Sequence, residues 1–474
     1  MHVSVADQWS DSGMDELIKQ YQDHAKNGFY SVHLSEISDN GNQAFTTSDI
    51  LNDNGVLLAR KGTQLDHGLR IRLVKHKLMD PLDEQIGLEH QADSKTLINE
   101  FRKLLKKYPD LEVINDAMHF GHEFERLIKL ELLHSKITQK LTVLESQMQC
   151  EFEKSIFTAW LSTMIAREMG LDTYEMRDIL VAAFIHDVGL LHLDPNIVCS
   201  NRKLSAEEWK TVKAHVVVGK IIADHIPNIS PEVSRAVIEH HEDCFGAGYP
   251  FALTEDQLGT PGKIINMADS IQSIRAKSFT QNQRTLGDIK PYLQLNPTTN
   301  SHEVYRATMS IIKKSGLQPL KLRPESCPKD YAKNLGRQID ILIDAKVALD
   351  DIHENLLELG ERIEQKDAKQ ISTLTAVTHR IRSTVYESGL LSSEISNWLY
   401  QHRDITNTDK SVLDEFNEIE LLMNELAWQL RNTVRVFYSY SDSNTTQNTM
   451  MLEHIQVSIQ SIQDILDRLS EVQK

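Results

Sequence analysis

The stretch A-A-F-I-H-D-V-G-L, Ala182 to Leu190, decides how this chain is read. Five apolar or small residues, Val181 to Ile185, run into an adjacent imidazole and carboxylate, His186-Asp187, and then into Val188-Gly189-Leu190. The run predicts a buried helix whose end carries two polar groups. Both must be satisfied, because an ionised carboxylate left unpaired in apolar surroundings costs too much to persist. Two kinds of partner fit: a hydrogen-bonded core neighbour, or a divalent transition metal, which suits imidazole and carboxylate alike. Taken alone, the dipeptide favours the core pair. The choice turns on whether the rest of the chain supplies more ligands.

Further ligand-type residues fall at or near the ends of neighbouring predicted helices. Glu175 to Ile185 is the helix behind the opening stretch. Ser205-Ala206-Glu207-Glu208 is a capping box, and the helix it starts leads to His215. Pro231 stands at the first helical position after Ser230 and opens a helix ending at His240-His241-Glu242. Thr260-Pro261 repeats that start signal ahead of Asp269. Four histidines and two aspartates on separate helices favour convergence on metal over unrelated core pairs. A carboxylate such as Asp187 can bridge two metals with histidines on either side, which suits activation of water and in-line phosphoryl displacement. On this reading His186, Asp187, His215, His240, His241 and Asp269 are the candidate metal ligands. Asp187 and His186 are the catalytic candidates.

The series H-D-V-G (His186 to Gly189), H-x-x-x-G (His215 to Gly219), H-H-E (His240 to Glu242), G-x-G-Y-P (Gly246 to Pro250) and A-D (Ala268-Asp269) resembles the HD-GYP domain, a bacterial branch of the HD metal-dependent phosphohydrolases. L-S-x-E-E-W (Leu204 to Trp209) matches as well, and the resemblance covers roughly residues 150 to 280. It implies an all-helical HD fold and hydrolysis of cyclic di-GMP with two or three divalent metals of iron or manganese type, two being expected here. It makes Gly246, Gly248, Tyr249 and Pro250 the substrate loop, which is also associated with partner proteins such as GGDEF-type cyclases. Gly55-Val56-Leu57-Leu58 and Lys61-Gly62-Thr63 are similar to short domains found ahead of such units.

Four positions depart from that pattern. The family's first metal histidine falls on Lys154, and the glutamate one turn earlier falls on Cys150. The lysine that follows H-D-x-G is Leu190, and the aspartate of D-G-x-G-Y-P is Phe245. A lysine ammonium repels a metal rather than ligating it; Glu151 and Glu153 are the candidate substitute oxygens. Losing a cation that stabilises the transferred phosphate typically costs ~10²–10³ in rate. The expectation is a cyclic di-GMP phosphodiesterase of weakened turnover. The alternative is an inactive regulatory module that binds metal, nucleotide or a partner protein.

Composition frames this reading. At 474 residues the chain is long for one core, and 40% hydrophobic with 25% charged residues suits a folded, mainly α protein. A net charge of −17 argues against a non-specific DNA or membrane-surface binder. Four scattered cysteines without CxxC spacing indicate neither a disulfide framework nor a zinc ribbon. The N-terminus has no apolar leader and no run approaches the ~20 residues of a membrane span, so a cytoplasmic location is expected.

Five segments are expected: a polar lead-in (1–27, with a short helix at Met14 to Ala25), a small α+β module (28–90), a helical connector (91–149), the HD-GYP-like domain (150–327, core 150–280) and a C-terminal helical bundle (328–474). In the module, Tyr30, Val32 and Leu34 alternate as in a strand, and Asn52-Asp53-Asn54-Gly55 marks a hairpin. Asp66 to His76 reads as a helix. The connector reads as one or two long helices, with Leu127, Leu130, Leu133, Ile137, Leu141 and Leu144 on one face. Four amphipathic helices in the tail suggest an antiparallel bundle, a surface for homodimerisation. There, His379-Arg380-Ile381-Arg382-Ser383-Thr384 with Gly389 resembles histidine phosphotransfer domains, making His379 a candidate phosphoacceptor for receiver-domain partners.

Overall fold

The computed structural model describes residues 15, 18–22, 29–80, 82–130, 134–200, 202, 204–279, 284–295, 301–320, 330–362, 365–402, 410–441 and 449–472. The fold is mainly α. Of the helix expected over Met14 to Ala25, residues 18–22 are described and helical; the rest lies largely outside the described residues.

The first helix, α1 (Tyr30–Asp39), replaces the expected strand. Tyr30, Leu34 and Ile37 are all buried, and their spacing of four and three is that of a helix stripe. Five alternating residues fit both periods, and packing chose the longer one. The hairpin forms where the Asn-Gly stretch places it. Strands β2 (Ile50–Leu51) and β3 (Leu57–Ala59) pair antiparallel around it, flanked in sequence by β1 (Ala44–Thr46). Gly55 takes φ +76°, and Asn52 Oδ1 accepts the N–H groups of Asn54 and Val56 at 3.1 and 2.8 Å. Helix α2 (His67–Val74) is capped by Asp66, and the short α3 (Leu82–Gln85) leads into β4 (Ile86–Leu88), which pairs with β1.

Among the described residues the connector shows four helices rather than one or two: α4 (Ser94–Lys107), α5 (Pro109–Ala117), α6 (Gly121–Leu130) and α7 (Ser135–Gln147). Pro109 opens a new helix, and His134 caps α7 by accepting the Lys136 N–H. The apolar run crosses that break because Leu130 ends α6 exposed to solvent.

The central unit wraps around α8 (Gln149–Met169), which buries Phe152, Phe157 and Trp160 completely. Beside it lie α9 (Thr173–Ile185), a 3₁₀ turn over Val188–His192, α10 (Pro195–Val198), α11 (Ala206–Lys213), α12 (His215–Asp224) and α13 (Pro231–Glu239). Helices α14 (Thr260–Ile274), α15 (Lys290–Leu295) and α16 (His302–Ser315) complete it. Asp172 with Glu175 and Ser205 with Glu208 both close capping boxes, which fix where α9 and α11 begin.

One apolar cluster runs from Tyr30 to Ile312 and takes in Leu421 of the tail, so α1 and the hairpin module share the core of the central unit. The join is polar as well as apolar: Tyr30 stacks on His192 at 4.8 Å, and the Lys140 ammonium lies 3.3 Å from the Tyr30 ring centre. Here α1 also buries His33, whose pKa is drawn down to about 4 by burial and then by the Lys140 charge. The unfolded chain takes up this proton near 6.5, the folded one only near 4. Stability present above pH 6.5 is therefore lost as pH falls toward 4, by up to ~3 kcal/mol. We expect urea midpoints to drop between pH 7 and pH 5 and the drop to shrink in His33→Leu; an equal drop in both proteins would contradict this.

The tail forms its own core from α17 (Tyr331–Arg362), α18 (Gln365–Glu387), α19 (Ser393–Gln401), α20 (Lys410–Ser441) and α21 (Thr449–Val472). The four long helices are the expected ones. The short α19 is additional: after Gly389, at φ +73°, Ser392 caps a new start by accepting the Ile395 N–H. The expected break at Asp404 to Asn407 lies outside the described residues. The bundle is pinned to the central unit by Arg284 to Glu420 at 2.7 Å and by Arg380 to Asp243 at 2.7 Å.

Candidate metal centre

Helix α9 delivers His186 and Asp187 at its C-terminal end, both fully buried. The 3₁₀ turn that follows lets α12 approach closely, because Gly189 and Gly219 face each other across the contact. A Cβ on Gly189 would stand 2.0 Å from the His215 carbonyl oxygen and 2.9 Å from the Gly219 nitrogen. The glycine of H-D-x-G thus lets His215 come within reach of Asp187. That of H-x-x-x-G lets α12 close on α13, where a Cβ would lie 2.9 Å from Val237 Cγ1.

Asp187 Oδ1 lies 3.2 Å from His215 Nε2 and 3.7 Å from His240 Nε2. The two imidazole Nε2 atoms face each other at 3.3 Å. Each ring also places Nδ1 on the main-chain carbonyl one turn earlier, His215 on Val212 at 2.8 Å and His240 on Val237 at 2.7 Å. With that proton committed, a neutral ring presents only a lone pair at Nε2, and two such lone pairs converge on one point. A cation between them resolves the contact. Burial holds His240 near pKa 4 and His241 well below its ordinary value, so both are neutral ligands at neutral pH. One donor atom from each of Asp187, His215, His240 and His241 lies within 4.8 Å of the others. The donor set fits a divalent metal.

A second group, His186, Asp187 and Asp269, meets the same distance criterion. His186 Nε2 lies 3.1 Å from Asp187 Oδ2 and 3.6 Å from Asp269 Oδ1, and its Nδ1 donates to Ala183 O at 2.7 Å. This group already contains a cation. Lys154 Nζ sits 2.7 Å from Asp187 Oδ2 and 2.8 Å from Asp269 Oδ1. Burial opposes its charge, but Asp187, Asp269 and Glu151 outweigh it and raise its pKa well above the usual lysine value. His186 follows the same logic: burial lowers its pKa, and the Asp187 carboxylate overrides that to reach about 10. Of the expected substitute oxygens, Glu153 points elsewhere, to Lys107 at 2.6 Å and Tyr108 at 2.9 Å. Glu151 stands 4.0 Å from the Lys154 ammonium.

The loop expected to handle substrate folds back onto the histidines. Gly248 has no room for a side chain, since a Cβ would lie 2.3 Å from the Glu242 Cα. Tyr249 N–H donates to His241 O at 3.1 Å, and its ring stacks on His241 at 4.9 Å, with Lys213 Nζ 5.5 Å from the Tyr249 ring centre. Gly246 turns with φ +72°, and Pro250 follows a cis peptide. Three braces escaped the sequence reading. Glu242 accepts the N–H groups of Phe251 and Leu253 at 2.6 and 2.9 Å, and Asp243 accepts those of Phe245 and Ala247, both at 2.9 Å. Asn266, one turn before Asp269 on α14, donates to the carbonyls of His240 and Glu242, both at 2.9 Å. Its spacing of three from Asp269 was the available signal.

Leu190 is buried in the 3₁₀ turn. His379 lies apart from the cluster, exposed on α18 with its ring 5.4 Å from His353. Its neighbour Arg380 is the residue that reaches Asp243.

Residues 125–298 match a family model described as HD domain. The central unit is similar to an HD domain over that span. The H-D, H-H and G-Y-P motifs all fall within it. The chain is similar to a cyclic di-GMP phosphodiesterase of Thermotoga maritima, 25% identical over 44% of this chain and 70% of that one. It is also similar to the cyclic di-GMP phosphodiesterase PdeB of Borreliella burgdorferi, 28% identical over 25% of this chain and 31% of that one. A 3'3'-cGAMP-specific phosphodiesterase of Vibrio cholerae is 26% identical over 38% of this chain and 41% of that one. The chain thus spans under half the length of the latter two. Among the described residues, no helix is long and apolar enough to cross a membrane.

Proposed function

We propose that this protein is a metal-dependent phosphodiesterase that hydrolyses cyclic di-GMP slowly. The observation that carries the reading is the pair of Nε2 atoms at 3.3 Å with Asp187 Oδ1 beside them, a donor set that calls for a cation. Asp187, His215, His240 and His241 would hold an iron or manganese ion. Such an ion, when bound, supplies Lewis-acid stabilisation to a phosphoryl oxygen and lowers the pKa of water. The protein's own groups do the rest. The main-chain carbonyls of Val212 and Val237 fix ring orientation, Tyr249 offers a flat face against a base, and Lys213 supplies a cation near that face. The names of the relatives support the cyclic dinucleotide class.

Slow turnover follows from Leu190, which offers no charge to the transferred phosphate, and from Lys154, which fills the second carboxylate group. Protein reloaded with Mn²⁺ or Fe²⁺ under reducing conditions is expected to convert cyclic di-GMP to linear pGpG or GMP, and chelation to stop it. Absence of product above the chelated background would leave the regulatory reading. The Arg380–Asp243 pair favours that second reading in part, since it ties the loop to the bundle. The bundle is the proposed surface for a homodimer and, through exposed His379, for receiver-domain or GGDEF-type partners in the cytoplasm.

A further inference from the structure

We infer that the centre holds one metal ion rather than two, with the Lys154 ammonium serving as a built-in replacement for the second. This inference rests on the metal reading above and refines its stoichiometry. Asp187 bridges the two groups, with Oδ1 toward His215 and His240 and Oδ2 toward Lys154 and His186. A metal held by Asp187 Oδ2 and Asp269 Oδ1 would need to sit ~2.0–2.2 Å from each oxygen. Lys154 Nζ already stands between those same atoms at 2.7 and 2.8 Å. Ion and ammonium cannot share the place.

Nor does helix α8 offer the ammonium a route out or the metal another donor. The Lys154 side chain is 19% exposed and that of Asp269 6%. Cys150, one turn earlier, is exposed, and Glu153 is held by Lys107 and Tyr108. His186 Nε2 and Asp269 Oδ1 stand 3.6 Å apart, with the Lys154 ammonium 2.8 Å from the Asp269 oxygen. They are what remains of a ligand set whose remaining position has become a cation. Two buried carboxylates with one ammonium and one divalent ion are better balanced than with two divalent ions and an ammonium pressed against them.

The test is metal counting on the full chain, stripped with chelator and titrated with Mn²⁺, read by elemental analysis and by electron paramagnetic resonance. The unchanged chain is expected to hold one Mn²⁺, with the spectrum of an isolated ion. Lys154→His restores a donor and is expected to hold two, with an exchange-coupled spectrum. Lys154→Ala, which needs no new packing, is expected to bind a second Mn²⁺ at least ~10-fold more tightly than the unchanged chain does. Two coupled ions in the unchanged chain would overturn this inference while leaving the metal reading intact. No bound Mn²⁺ would overturn both. A natively folded Lys154→His and Lys154→Ala that both stay at one ion would also overturn it.

Discussion

Asp187→Asn is expected to strip the centre of metal and to lower cyclic di-GMP hydrolysis by at least ~10³-fold. The exchange is nearly isosteric, so it tests charge rather than shape. Asp187 is the only residue common to both ligand groups, and its two oxygens serve different neighbours. An amide in its place keeps one carbonyl acceptor and turns the other end into a donor. Whichever end faces inward, the site loses a negative charge that offsets an incoming divalent ion. Removing several kcal/mol of Lewis-acid stabilisation corresponds to a thousandfold or more in rate, at about 1.4 kcal/mol per factor of ten. The same change leaves Lys154 and His186 with Asp269 as their nearest remaining carboxylate, so some loss of thermal stability accompanies it. Metal content, turnover and melting temperature measured on one preparation separate these effects. Retention of bound Mn²⁺ with unchanged turnover would remove Asp187 from the centre.

The positions of the histidines and aspartates were legible because each lies beside a local signal. Ser205-Glu208, Ser230-Pro231 and Thr260-Pro261 fix helix starts within a residue, and the ligand-type groups follow at set distances from them. Such signals are nearest-neighbour chemistry and need no fold to be read. The hairpin at Asn52–Gly55 and the four long helices of the tail belong to the same class. What could not be read were relations between distant residues. Lys154 was visible as a missing ligand, but not as the partner of two carboxylates. Arg380 and Asp243 lie 137 residues apart, and nothing in either segment announces the other.

The strand expected at Tyr30 to Leu34 fails for a related reason. Its period was ambiguous over five residues, and the decision came from the surface of α7 and His192, far along the chain. The connector was overextended because an apolar spacing continues across a break that a single exposed Leu130 conceals. In each case local pattern proposes and tertiary contact decides.

Gly189→Ala is expected to cost at least ~3 kcal/mol and to misplace His215, although the glycine ligates nothing. Added methyl groups in packed interiors typically cost ~1–3 kcal/mol when neighbouring side chains can shift. Here the methyl carbon would stand 2.0 Å from the His215 carbonyl oxygen, 2.8 Å from its carbonyl carbon and 2.9 Å from the Gly219 nitrogen. All three are backbone atoms in the first turns of α12, so the helix itself must move. On the far side of Gly219, a Cβ would lie 2.9 Å from Val237 Cγ1, so α12 is already close-packed against α13. Relief by translation pushes His215 away from Asp187, and an extra ångström at a separation of 3.2 Å breaks the ligand group. At ~2–4 °C per kcal/mol for a unit of this size, melting should fall by about 10 °C. Metal content should fall with it in protein that still shows native helical signal. The contrast with Asp187→Asn is diagnostic, since Gly189→Ala removes no donor atom and no charge. A Gly189→Ala protein with unchanged melting and full metal content would mean that the close approach of α12 to the H-D turn does not set the centre.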